Sequence, residues 1–121
     1  MKLRFEKNSL RLRLRKSDLQ KLAADGRVAE TVPFGTAVFS YVLQSGHTPE
    51  VNASLESNCI VVTLPKAQAD KWMQTDEVAL SAQQGDLLIL VEKDFPCKDR
   101  AEEDKSDTFV EMVPQEKDLS C

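Results

Sequence analysis

The 121-residue sequence predicts an α+β, mostly β protein: one pseudo-dimeric β-barrel closed by two tandem strand–strand–helix–strand–strand units, with two short helices. Three observations carry that expectation. Leu10, Leu12 and Leu14 recur at every second position, as Ile60, Val62 and Leu64 do, which is the period of a half-buried strand. Leu19, Leu22 and Ala23 fall at i, i+3, i+4, as do Ala69, Trp72 and Met73, the stripe of a short amphipathic helix. Finally, both pairs of elements recur at one fixed offset of 50 residues.

Laid without a gap over residues 51–94, residues 1–44 match at Glu6/Glu56, Asn8/Asn58, Leu14/Leu64, Lys16/Lys66, Lys21/Lys71, Val28/Val78, Ala29/Ala79 and Gly35/Gly85. A repeat of this length implies units that cannot bury their apolar faces alone and must share a core. Residues 1–94 are therefore expected to form one domain, with repeats at 1–44 and 51–94 and a polar linker at 45–50.

Each unit opens with a strand (Lys2–Glu6; Val51–Glu56) and turns at Lys7-Asn8 or Ser57-Asn58, where Asn tolerates a left-handed backbone. A second strand follows (Leu10–Leu14; Ile60–Leu64). The helix starts with Ser17 and Gln20 in capping-box spacing in the first unit and at Pro65 in the second, and runs about two turns. Asp25-Gly26 and Thr75-Asp76 end it. Third strands at Val28–Val32 and Val78–Ala82 lead through Gly35 or Gly85 to fourth strands at Ala37–Leu43 and Leu87–Lys93. The expected core is Leu3, Phe5, Leu10, Leu12, Leu14, Leu19, Leu22, Val28, Leu55, Ile60, Val62, Leu64, Trp72, Val78, Leu87 and Ile89.

Bulk properties narrow the class. A hydrophobic fraction of 41% and a charged fraction of 30% are those of a globular chain. No run of 18 apolar residues and no basic-then-apolar leader at Met1 is present, so neither a membrane span nor a signal peptide is expected. Cys59, Cys97 and Cys121 form no C-x-x-C spacing, and an odd count suits a reducing, cytoplasmic compartment. The net charge of −4 is unevenly spread: residues 1–28 carry nine basic against three acidic side chains, and the remainder carries seven against 17.

The order of elements, with Asn8-Ser9 before an alternating strand containing Arg13-Leu14, resembles the AbrB/MazE-like swapped-hairpin domain. Leu64-Pro65, Asp76-Glu77-Val78 and Gly85-Asp86-Leu87 follow in that family's order. The resemblance covers residues 1–44 and 51–94. It implies hairpins exchanged between units into a swapped-hairpin or double-psi-like barrel, DNA binding through basic residues of the first hairpin, and an acidic tail of the kind with which antitoxins wrap a toxin. Two units in one chain depart from the family's usual single unit and imply a single-chain pseudo-dimer. Only the first unit keeps the basic strand, because Val61, Thr63 and Pro65 stand where Arg11, Arg13 and Arg15 stand in the first. The chain also resembles a small group of bacterial proteins of unknown function, through its Asn8-Ser9-Leu10-Arg11-x-Arg13-Leu14 opening and its Glu92-Lys93-Asp94-Phe95-x-Cys97 segment.

Candidate chemistry centres on the first hairpin. Arg11, Arg13 and Arg15 alternate with leucines, which sets three guanidiniums on one strand face about 6.5–7 Å apart. Arg4, Lys7 and Lys16 extend the patch. Such a stripe tracks the phosphates of DNA or RNA with salt-sensitive affinity, and Arg13→Ala is expected to weaken that binding. The plainer alternative is a solvated face, or an edge strand kept charged against aggregation.

A second candidate is the tail, residues 95–121, expected to be acidic and partly disordered. From Asp94 it holds nine acidic and four basic side chains. Phe95, Glu102, Glu103, Asp104 and Phe109 are its candidate contacts to a protein partner, against a merely solubilising role. Cys97 and Cys121 near Asp99, Glu102, Glu103, Asp104 and Asp107 match neither an EF-hand loop nor a zinc knuckle, so no metal and no cofactor are expected. His47 is the only histidine and no nucleophile motif or phosphate-binding glycine loop accompanies it, so an enzyme is not expected. The duplication favours a monomer or a weak dimer.

Overall fold

The computed structural model describes residues 1–95 and 107–112. Eight strands and two helices follow in the order β1 (Lys2–Glu6), β2 (Ser9–Leu14), α1 (Lys16–Asp25), β3 (Arg27–Pro33), β4 (Val38–Gly46), β5 (Asn52–Glu56), β6 (Cys59–Pro65), α2 (Lys66–Gln74), β7 (Ala79–Gln84) and β8 (Leu87–Lys93). Among the described residues of the tail, Val110–Met112 form a 3-10 turn. The chain is thus α+β and mostly β.

The strands form two four-stranded mixed sheets, ordered β1-β2-β8-β7 and β3-β4-β6-β5. Each sheet joins a hairpin from the first half of the chain to one from the second, through a parallel pair at its centre: β2 with β8 and β4 with β6. The antiparallel hairpins keep equivalent registers at the 50-residue offset, Lys2 opposite Arg13 and Asn52 opposite Thr63. The parallel pairs do not. Ser9 pairs with Leu88, which the offset equates with Val38, yet Cys59 pairs with Ser40. A slip of two residues leaves every side chain on its original face, because the strand period is two.

Inward-facing leucines, isoleucines and valines of both sheets meet in one core, joined by Leu22 of α1 and by Ala69 and Trp72 of α2. A closed barrel is not formed. Where β5 meets β7, no ladder runs between them; the Gln84 side chain stitches the seam instead, its amide nitrogen donating to the Ala53 carbonyl at 2.9 Å while its oxygen accepts from the Ala53 N–H at 2.8 Å. At the opposite seam the Met1 α-ammonium reaches Glu30 of β3 at 3.2 Å. Side chains and a terminus hold these edges together.

Several sequence expectations need correction. Phe5 and Leu55, expected in the core, are 58% and 69% exposed. Both point inward by alternation, but they stand next to the hairpin turns at the ends of their strands, beyond the opposing layer. Val78 precedes β7 with its side chain half in solvent; it is tied in through its carbonyl, which accepts from the Trp72 indole at 3.1 Å and from the Lys93 N–H at 3.0 Å. Leu3, Leu19 and Leu87 are only partly buried against the core. Val42, Leu43, Val51 and Val91 are buried although the expected core omits them, as is Ala69 of the second helical stripe.

The helices run ten and nine residues, longer than two turns. The first starts two residues earlier than Ser17 predicts: Arg15 is the N-cap, and its N–H donates to the Asp18 carboxylate at 2.9 Å, so Asp18 takes the place assigned to Gln20. Gly26 ends it at φ +73°, a left-handed cap, and its N–H donates to the Leu22 carbonyl at 2.8 Å. In the first hairpin turn it is Lys7, not Asn8, that takes the left-handed backbone. The linker is shorter than 45–50, because β4 continues through Gly46. The expected disorder of the tail, with Cys97, Glu102, Glu103, Asp104 and Cys121, lies outside the described residues.

One polar cluster is set into the fold. The Met1 ammonium, its nitrogen out of solvent, sits 2.9 Å from the Asp18 carboxylate and 3.2 Å from Glu30, and the Tyr41 hydroxyl donates to the Met1 carbonyl at 3.1 Å. Burial alone would raise the Asp18 pKa, but hydrogen bonds from the ammonium and the Arg15 N–H, together with the charges of the ammonium and Lys21, outweigh it, and the carboxyl is held below its ordinary value. Burial raises the Tyr41 phenol, and the Glu30 and Asp18 charges raise it further. A phenol raised in the folded state contributes stability that is complete below the unfolded pKa of about 10 and is lost as pH rises through the folded value. Tyr41→Phe is accordingly expected to flatten the alkaline loss of stability in urea titrations above pH about 10. An unchanged alkaline slope would assign the loss to other groups.

Candidate nucleic-acid interface

The basic strand is central, not peripheral. β2 lies between β1 and β8, so the reading of Arg11, Arg13 and Arg15 as charges on an edge strand is overturned by the strand order. Leu10, Leu12 and Leu14 face the core and are at most 2% exposed, which sends Arg11 and Arg13 to the outer face of the sheet. Arg15 stands just beyond the strand, exposed at the N-cap of α1, and Lys16 begins that helix. Lys7 is exposed in the turn at the other end.

Hairpin register then sets Arg4 directly opposite Arg11 and Lys2 directly opposite Arg13. Side chains so opposed have Cβ atoms roughly 4.5–5.5 Å apart, and like charges there repel. Lys2 belongs to the patch although the stripe alone does not include it. Its signal is in the sequence, because a two-residue turn at Lys7-Asn8 dictates which residues oppose each other.

The far side of β2 supplies the counter-charge. β8 places Glu92 opposite Arg13, and Glu92 Oε1 lies 2.9 Å from Arg13 Nε and 3.6 Å from Arg11 Nε. Asp94 lies 3.9 Å from the Lys2 ammonium, and Glu6 is 3.8 Å from Arg4 along β1. Side-chain exposure grades across the face: 12% for Arg13, 30% for Arg11, 49% for Arg4 and 58% for Lys2. Arg13 is consumed by an inner ion pair, whereas Arg4, Lys2 and, in part, Arg11 still face solvent.

The equivalent face of the second sheet is uncharged at its centre, where Val61 and Thr63 occupy β6 and the Gln44 amide donates to the Thr63 hydroxyl at 3.2 Å. The positive field is one-sided. Elsewhere, Phe95 and Phe109 of the tail are exposed at 52% and 74%. His47 is exposed between β4 and β5. Among the described residues no group of three or more His, Cys, Asp or Glu is placed to hold a metal ion, and no helix is long and apolar enough to cross a membrane.

The fold and this face define a β-rich domain of two mixed sheets with an open, basic sheet surface. The chain belongs to a family of unknown function (DUF7009), whose model matches residues 1–112. No curated protein and no solved structure matches it.

Proposed function

We propose that the chain is a non-catalytic binding module, built from a duplicated ββαββ unit with exchanged hairpins, that binds the phosphate backbone of DNA or RNA through the outer face of β1 and β2 and acts in a reducing, cytoplasmic compartment. The observation that supports this most directly is the cross-strand opposition of Arg4 with Arg11 and Lys2 with Arg13. Opposed cations cost stability in the free protein, and an anion laid across them relieves that cost. Lys7 at one end and Arg15 and Lys16 at the other prolong the strip along a rigid sheet. The role of Arg13 is to position: its pairing with Glu92 fixes the guanidinium beside Arg11 and makes it a poor probe of phosphate binding.

The informative variants are therefore Arg4→Ala with Arg11→Ala, measured against labelled duplex DNA and single-stranded RNA by fluorescence anisotropy over a range of salt. For every phosphate left without its cation, the slope of log affinity against log salt is expected to fall by about 0.9 on duplex DNA and about 0.7 on a single strand. An unchanged slope, or no binding by the unaltered protein at low salt, removes the reading.

A second reading is a protein-interaction module in the manner of an antitoxin, using the tail at Phe95, Glu102, Glu103, Asp104 and Phe109. The exposure of Phe95 and Phe109 favours it. Under that reading a chain lacking residues 98–121 no longer captures a basic partner protein.

A further inference from the structure

The β3–β4 hairpin ends in an apolar tip that its own turn does not require. The Phe34 N–H donates to the Ala37 carbonyl at 2.7 Å across Gly35, whose φ of +89° closes the turn. Beside it opens a cleft of about 320 Å³ lined by Phe34, Ala37, Val38, Phe39 and Asn58. Phe34 is 67% exposed and Val38 51%. The corresponding tip of β7–β8 is polar, with Gln84 standing where Phe34 stands and stitched to β5.

A complementary feature lies in the tail. The Met112 N–H donates to the Phe109 carbonyl at 3.1 Å, a turn of 3-10 type in which residues three apart lie on the same side. Phe109 and Met112 are both 74% exposed. The family match continues through Met112 and so includes this turn, well beyond the last strand. Within one chain neither feature covers the other: the aromatic of the cleft and the aromatic of the turn both remain in solvent.

We propose that the occupant of the cleft is the Phe109–Met112 turn of a second copy of this chain, exchanged reciprocally in a two-fold dimer. An isologous pairing of this kind uses each feature twice. Stable interfaces bury at least about 1,000 Å² in total. Four aromatic anchors, Phe34 and Phe109 from each copy, contribute on the order of 150–250 Å² each, and the flanking valines and methionines add to that. The area sits near the threshold, so the dimer is weak and concentration-dependent. Met112 suits the role, since its flexible thioether adapts to an irregular cleft. This pairing is independent of the basic face.

The test is sedimentation velocity of the full chain at two concentrations a hundredfold apart, alongside Phe34→Ser, Phe109→Ser and an equimolar mixture of the two. The unaltered chain is expected to shift from monomer to dimer, and each variant to stay monomeric with an unchanged circular-dichroism melt. The mixture is expected to recover part of the dimer, because the intact turn of the Phe34→Ser chain meets the intact cleft of the Phe109→Ser chain. A monomer at both concentrations overturns the proposal, and hydrogen-exchange protection of Phe109 in that monomer would identify an intrachain contact instead. A dimer that survives either substitution, or a mixture that recovers none of it, equally overturns the exchange.

Discussion

Trp72→Ala is expected to lower the stability of the domain by about 3–5 kcal/mol, the cost of emptying an aromatic site in a packed core. Trp72 is fully buried on α2. Its indole N–H donates to the Val78 carbonyl at 3.1 Å, and the Lys93 ammonium stands 5.9 Å from the ring centroid while also donating to the Thr75 carbonyl at 2.7 Å. One ring therefore joins α2, the segment before β7 and the end of β8. Total stabilities of such domains are about 5–15 kcal/mol, so the variant sits at the margin of folding. Trp72→Phe keeps most of the volume and loses the indole donor; since Val78 also accepts from the Lys93 N–H, a smaller loss of about 1–2 kcal/mol is expected. Trp72 is the only tryptophan, so urea unfolding must be followed by far-ultraviolet circular dichroism. A loss below about 1 kcal/mol for Trp72→Ala would contradict the packing described.

Asp18→Ala is expected to cost a similar amount, about 3–5 kcal/mol, for a different reason: it strands a charge. The Met1 ammonium would keep only Glu30, whose side chain is 40% exposed, and the Arg15 N–H at the start of α1 would lose its acceptor. Asp18→Asn leaves an acceptor for Arg15 but removes the charge, and should fall between the two. The pH dependence separates the effects. Because the Asp18 carboxyl is held below its ordinary value in the fold, its contribution is present above the unfolded pKa of about 3.9 and is lost as pH falls through the lower folded value. The unaltered protein should thus lose stability in acid more steeply than either variant. Equal acid slopes in all three would place the acid-sensitive interaction elsewhere.

The path from sequence to site is legible in parts. Alternation in Leu10–Leu14 and Ile60–Leu64 discloses the two central strands and their buried faces, since a strand's period is local information. The turns at Lys7-Asn8 and Ser57-Asn58 set the hairpins, and through them the opposition of Arg4 with Arg11. Glu92 is not legible as the counter-ion of Arg13. The two residues are far apart in the chain and meet only because β2 pairs in parallel with β8, a pairing that no local pattern encodes.

Exposure depends on the same distinction. Alternation assigns Phe5 and Leu55 to the inner face, but where the opposing sheet ends decides whether that face is covered. Asp18 reads as an ordinary helix-start acid, and only the return of Met1 to α1 and β3 makes it the centre of a buried cluster.

The sequence by itself determined the strands, the two helices, the hairpins and the one-sided placement of basic residues, because periodicity, caps and turn chemistry act over a few neighbouring residues. Tertiary structure alone decided which hairpins share a sheet, the two-residue slip between the parallel pairs, the open seams at Gln84 and Met1, and the neutralisation of Arg13. Those outcomes rest on interactions between distant segments, where shape and charge are matched only after the layers have packed.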